Sequence, residues 1–256
     1  MSIPGLIGMV HLGPLPGSPG FKGDFDEILA IAESDAAILA EAGFEAIMVE
    51  NFGDVPFYAD DAPKVTIATL TTAVNAVYRA SRLPVGVNVL RNDALGALAV
   101  AAATPATFIR VNVLSGSMFT DQGPIIGQAA DVARLRSQIC PDVEIMADVF
   151  VKHATPPAGL TLIDATNDLV ERSGADAVVV SGEGTGSPTD LDDLRAVAGE
   201  SHLPVFVGSG TTVDSVGALL EIAQGVIVGT DAKLDGVSTN QVDPVRAAAI
   251  VVAAGR

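Results

Sequence analysis

Eight short runs of apolar, largely β-branched residues recur at 6–11, 46–51, 84–88, 107–112, 144–148, 177–182, 204–208 and 225–229, each closing on a polar residue or a glycine. Runs of this length and type read as strands buried on both faces. Between them the apolar spacing changes to that of a helix. The clearest stretch is 25–42, where Ile28, Ile31, Ala32, Asp35, Ile38, Leu39 and Ala42 share one face and Gly43 supplies a C-terminal cap. Similar patterns predict helices at 65–81, 93–103, 125–139, 160–173, 191–199, 213–223 and 244–254. Strand starts fall about 31 residues apart, the size of one βα unit. Eight such units in 256 residues predict a single-domain (β/α)8 TIM barrel over 1–256. An open doubly wound sheet would want a G-x-G-x-x-G turn after its first strand. Gly13-Pro14-Leu15-Pro16-Gly17 lacks that spacing, and its prolines oppose a helix start.

Composition then removes whole classes of function. Lys+Arg 14 against Asp+Glu 31 gives a net charge of −17, with the basic residues few and dispersed, so neither nucleic acid nor anionic lipid finds a footprint. Aromatic residues are 4% with no Trp, which argues against stacking platforms for single-stranded nucleic acid. The one cysteine, Cys140, cannot make an internal disulfide, and the reducing cytoplasm is the expected location. The first residues carry no basic and apolar signal pattern, and no apolar run reaches the length of a membrane span. Two readings of the acidity, ordinary solubility and a salt-rich cytoplasm, stay open.

In a barrel the strand C-termini gather at one face and the loops after them build the site. That rule selects His11 after strand 1, Glu50 and Asn51 after strand 2, and Asn88, Arg91 and Asn92 after strand 3. Arg110 and Asn112 end strand 4; Asp148 ends strand 5, followed by Lys152 and His153. Side chains alternate along a strand. Met9/His11, Met48/Glu50, Gly86/Asn88, Phe108/Arg110/Asn112, Met146/Asp148 and Val179/Ser181 should therefore face the interior. Val10, Val49, Val87, Val111, Val149 and Val180 should pack under helices. Glu50, Asp148 and His11 are the candidate acid–base groups, and Asn88, Arg110, Asn112, Lys152 and His153 the candidate substrate-binding groups. An Arg110–Asp148 pair could equally be architectural.

The last three units end in glycine turns: Gly182 through Gly186, Gly208-Ser209-Gly210-Thr211 and Gly229-Thr230. Backbone N–H groups reach a phosphate closely where no Cβ intervenes, and helices starting after Thr211 and Thr230 would add their positive ends. The loops after strands 7 and 8 are the usual phosphate site of this fold. Gly182, Gly186, Gly208, Ser209, Gly210, Gly229 and Thr230 are the expected phosphate-binding residues. Three of the four lysines, Lys64, Lys152 and Lys233, follow strands on this face; Lys233 could assist the phosphate or be an ordinary exposed lysine beside Asp231 and Asp235. No Schiff-base lysine is expected, because Lys152 and Lys233 lie outside the strands. Ser181 and Ser209 lack a partner base. His11, Glu50, Asp148 and His153 have no metal-ligand spacing, so neither a metal nor another cofactor is expected.

These segments resemble the BtpA family, barrel proteins named for a role in photosystem I biogenesis. The resemblance rests on Gly8-Met9-Val10-His11-Leu12, Val49-Glu50-Asn51, Gly86-Val87-Asn88-Val89-Leu90-Arg91-Asn92-Asp93, Phe108-Ile109-Arg110-Val111-Asn112, Val151-Lys152-His153-Ala154, Val180-Ser181-Gly182, Val207-Gly208-Ser209-Gly210 and Ile227-Val228-Gly229-Thr230. It covers nearly the whole chain and implies little about activity, since members occur outside photosynthetic lineages. A weaker resemblance, to the tryptophan synthase α subunit, matches Glu50 as the glutamate ending strand 2 and Asp60 or Asp61 as a second carboxylate. The expected function is a cytoplasmic enzyme acting on a phosphorylated small molecule by proton transfer, as an isomerase, epimerase or lyase. The alternatives are a non-catalytic assembly factor for a membrane complex and a sensor of a phosphorylated metabolite. A homo-oligomer is left open.

Overall fold

A computed structural model of the chain describes residues 3–182 and 189–256. Eight parallel strands close on themselves: β1 (Leu6–His11), β2 (Ala46–Glu50), β3 (Val85–Asn88), β4 (Ala106–Val111), β5 (Glu144–Asp148), β6 (Ala177–Val180), β7 (Val205–Val207) and β8 (Gly225–Val228). Each pairs with its sequence neighbours, and β8 pairs with β1. The helices α1 (Phe25–Ala42), α2 (Lys64–Ser81), α3 (Ala94–Ala102), α4 (Ala129–Ile139), α5 (Leu162–Arg172), α6 (Leu191–Glu200), α7 (Val216–Leu220) and α8 (Pro244–Ala253) come after the strands in turn. The closed barrel excludes the open doubly wound sheet. No helix among the described residues is long and apolar enough to cross a membrane.

Alternation divides the core as expected. Ile7, Met9, Met48, Phe108, Met146, Val179, Phe206 and Ile227 fill the barrel interior. Val10, Val49, Val87, Val111, Val149 and Val180 belong to the outer core, beneath the helices. Gly86 gives the Phe108 ring its room in the interior. An added Cβ there would lie 2.1 Å from that ring, so glycine is required by close approach. Register then sets the polar layer above this core: His11 lies opposite Glu50, Glu50 opposite Asn88, and Asn88 opposite Arg110. Four consecutive strands thus present one continuous polar row at their C-terminal ends.

Three expectations are corrected. The helix expected at 125–139 begins only at Ala129. Residues Ser117–Thr120 and Gly123–Ile126 form an antiparallel hairpin, extended by Ala154–Thr155. Met118 and Ile125 turn inward while Phe119 and Ile126 are exposed, the period of two that a strand requires. The helix expected at 213–223 shortens to the five residues of α7. After β8, Thr230–Ala232 is a 3-10 turn, and α8 starts only at Pro244, capped by Asp243. No full-length α-helix therefore begins at Thr211 or Thr230, and the expected helix-dipole contribution is absent there.

Candidate functional site at the strand C-termini

The polar row is built from one buried ion pair outward. Arg110 Nε donates to Asp148 Oδ2 at 2.9 Å and Nη2 to Oδ1 at 2.7 Å, both residues being buried. Asn112 Nδ2 donates to Oδ2 at 3.1 Å and Ser181 Oγ to Oδ1 at 2.9 Å. Four donors leave this carboxylate no free lone pair of consequence. Arg110 Nη1 also reaches the Gly208 carbonyl at 3.3 Å, tying the row to the β7 turn. Such a saturated bidentate pair offsets the desolvation of both charges and fixes the guanidinium's direction. Asn88 Nδ2 donates to the Arg110 carbonyl at 2.9 Å. Asn88 lies beneath the cavities and does not line them.

Glu50 differs. It is buried, yet no group among the described residues donates a hydrogen bond to its carboxylate, and His11 Nε2 lies 3.9 Å from Oε1. His11 Nδ1–H donates to the Ser238 carbonyl at 3.0 Å, which directs the lone pair of Nε2 toward Glu50. Burial above all, with Lys233 adding repulsion, pushes the His11 pKa down to about 3, so the imidazole is neutral. The ring stacks on Phe52 at 4.5 Å between centroids. Ser238 also holds Thr230, Oγ to Oγ1 at 2.7 Å. Neither Ser238 nor Phe52 was legible as a site residue: Ser238 lies well beyond the last strand end, in a segment with no periodic pattern.

Two cavities meet at Glu50. The smaller, about 110 Å³, lies against the turns after β7 and β8 and is lined by Gly208, Ser209, Gly210, Thr211, Gly229 and Thr230, with His11, Glu50, Arg110 and Lys152 on the other side. The main-chain N–H groups of Ser209, Gly210, Thr211, Gly229 and Thr230 have no hydrogen-bond partner among the described residues. Gly210 sits at φ +70°, a conformation that favours glycine and turns the chain there. The larger cavity, about 350 Å³, lies under the loop after β2 and shares Glu50, Arg110 and Lys152 with the first. Phe52, Val55, Phe57 and Leu90 give it apolar walls, and Arg91, Asn112, Asp121 and His153 complete it. Burial pulls the Lys152 ammonium below its ordinary pKa, partly countered by Glu50.

Most of the expected residues converge, and the exceptions have physical reasons. Gly182 is behind the turn, its N–H donated to Ser209 Oγ at 3.1 Å, whereas Gly186 lies outside the described residues. Lys233 does not assist an anion. It is fully buried and donates to Asp35 Oδ2 at 2.7 Å, which also explains a carboxylate within the apolar stripe of α1. Asp60 and Asp61 border a separate surface groove beside Lys64, so no second carboxylate faces Glu50 from that loop. Among the described residues no cluster of His, Cys, Asp or Glu could hold a metal ion.

A closed parallel barrel with its polar row and glycine turns at one end defines a TIM-barrel protein. N-(5'-phosphoribosyl)anthranilate isomerase from Pyrococcus furiosus superposes with a TM-score of 0.59 at 15% identity, covering 98% of each chain. Within that class the chain belongs to the BtpA family, whose model matches residues 3–256. An uncharacterised Thermococcus kodakarensis protein is 51% identical over 96% of this chain and 93% of its own length. The photosystem I biogenesis protein BtpA of Synechocystis is 43% identical over 97% of this chain and 87% of its own.

Proposed function

We propose that this protein is an enzyme that binds a phosphorylated small molecule and moves a proton on it, as an isomerase, epimerase or lyase. One observation carries the reading: a row of unengaged main-chain N–H groups on two adjacent turns lines a small cavity whose opposite rim is Glu50. Main-chain donors in such a concavity suit phosphate oxygens without a counter-cation. The barrel's resemblance to an isomerase named for a phosphoribosyl substrate is consistent with that reading.

Glu50 serves as the general acid or base. Its carboxylate is sequestered yet uncommitted, so it can accept a proton from carbon or oxygen and return it. Neutral His11 presents Nε2 as an acceptor beside it, positioned through Ser238. Asp148 takes no proton, being fully engaged; it holds Arg110 so that the guanidinium can stabilise a developing oxyanion. Asn112 assists by holding Asp148, and Lys152 and His153 complete the outer wall.

An assembly role is favoured by one observation, the name of the Synechocystis relative. A role tied to a photosystem would not account for the more similar protein of Thermococcus kodakarensis. The deciding experiment is a thermal-shift screen with inorganic phosphate and sugar phosphates, combined with proton exchange into the bound compounds in deuterated water. Phosphate should raise the unfolding temperature, because a ligand that binds only the folded state stabilises it. Glu50→Gln should keep that shift and slow exchange by about 10²–10⁴-fold. Absence of any phosphate-dependent shift overturns the reading.

A further inference from the structure

The larger cavity is bordered by a buried cation that forms no ion pair among the described residues. Arg91 is 5% exposed, and its Nη2 donates to the Lys152 carbonyl at 2.6 Å. No carboxylate lies within 4.0 Å of its guanidinium among the described residues, although Glu50 and Asp121 border the same space. The other deeply buried cations behave differently. Arg110 meets Asp148 at 2.7 Å and Lys233 meets Asp35 at 2.7 Å. A chain with 31 acidic residues has no shortage of partners to offer, and buried charges are ordinarily paired. Lys152, on the shared wall, likewise has no ion-pair partner among the described residues. In a strongly acidic protein, two cations with no ion pair among the described residues therefore flank one chamber.

We infer that Arg91, with Lys152, receives a carboxylate of the ligand, so that the substrate is two-ended: a phosphate on the β7 and β8 turns and a carboxylate in the chamber, with Glu50 between them. The phosphate end rests on the function proposed above; the carboxylate end rests on Arg91 and Lys152. A planar guanidinium fork matches a carboxylate in two parallel hydrogen bonds. The flanking Phe52, Val55 and Phe57 suit a carbon skeleton near that group.

The test is calorimetric titration with inorganic phosphate and with matched phosphorylated acids and phosphorylated alcohols of two to five carbons. At one chain length or more, the acid should bind at least about tenfold tighter than its alcohol. Arg91→Met should erase that preference and leave the affinity for inorganic phosphate unchanged. Arg91→Lys keeps the charge without the fork. It should lose most of the preference in a fold that survives, which keeps the idea testable if the Met variant does not fold. Acids and alcohols binding alike at every length, with inorganic phosphate still bound, overturns the carboxylate site and leaves the phosphate reading intact. No binding by any phosphorylated compound or by phosphate overturns the phosphate reading, and the two-ended ligand with it.

Discussion

A main-chain carbonyl decides which form of His11 exists. Ser238 accepts its Nδ1 proton, and burial keeps the ring neutral down to about pH 3. In the unfolded chain a histidine titrates at about 6.5, so as pH falls the unfolded state takes up the proton first. The contribution of His11 to stability is therefore complete above about pH 6.5 and is lost below it, by about 1.4 kcal/mol for each pH unit. Urea unfolding of wild type and His11→Phe between pH 7 and 4 should give curves that diverge by about that slope, the wild type falling faster. Parallel curves would mean that the folded ring takes up its proton as readily as the unfolded one. Much at this scale was legible in the sequence, because period-two alternation alone puts His11, Glu50, Arg110 and Asp148 on the interior side. The partners were not. That Asp148 is saturated depends on Ser181 and Asn112 reaching it across the barrel, and the setting of His11 depends on Ser238, none of which spacing encodes.

At the scale of elements, the strands and helices were recovered where a periodic apolar pattern ran long enough, as in α1 and β5. Legibility failed where a short motif lay inside a longer connection. The end of the hairpin Ser117–Ile126 was absorbed into a helix because Ile125 and Ile126 fit the helical spacing of α4 beyond it. The 3-10 turn after β8 was hidden by the expectation of a regular βα step. Packing between elements is visible at Gly86, whose strand lies against the Phe108 ring of the next. Gly86→Ala forces that ring to move, and overpacking of this kind costs about 1–3 kcal/mol or more. Adding Phe108→Leu to the same chain should recover a substantial part of the loss in chemical denaturation. Equal and additive losses would show that the strand moves to accommodate the methyl group.

For the molecule as a whole, a net charge of −17 sets acidic residues against one another over the surface. Exposed repulsion is screened within about 10 Å at ~0.1 M salt and more tightly above it. The midpoint of thermal unfolding should therefore climb between low salt and about 1 M sodium chloride. Buried pairs such as Lys233–Asp35 are screened far less and should contribute little to the climb. A flat response would count against both surface self-repulsion and adaptation to a salt-rich interior.

The order of strands around the closed barrel has a last consequence. His11, Glu50 and the Arg110 guanidinium come from the first four strands, whereas the turns lined with unengaged N–H groups come from the last two, and the β1–β8 seam brings them face to face. On the function proposed above, the two jobs fall in opposite halves of the chain. Substitutions at the ends of the early strands would then alter which atom is attacked while the anchoring half stays as it is, so descendants of one such scaffold could diverge in chemistry without relearning how to hold their substrate.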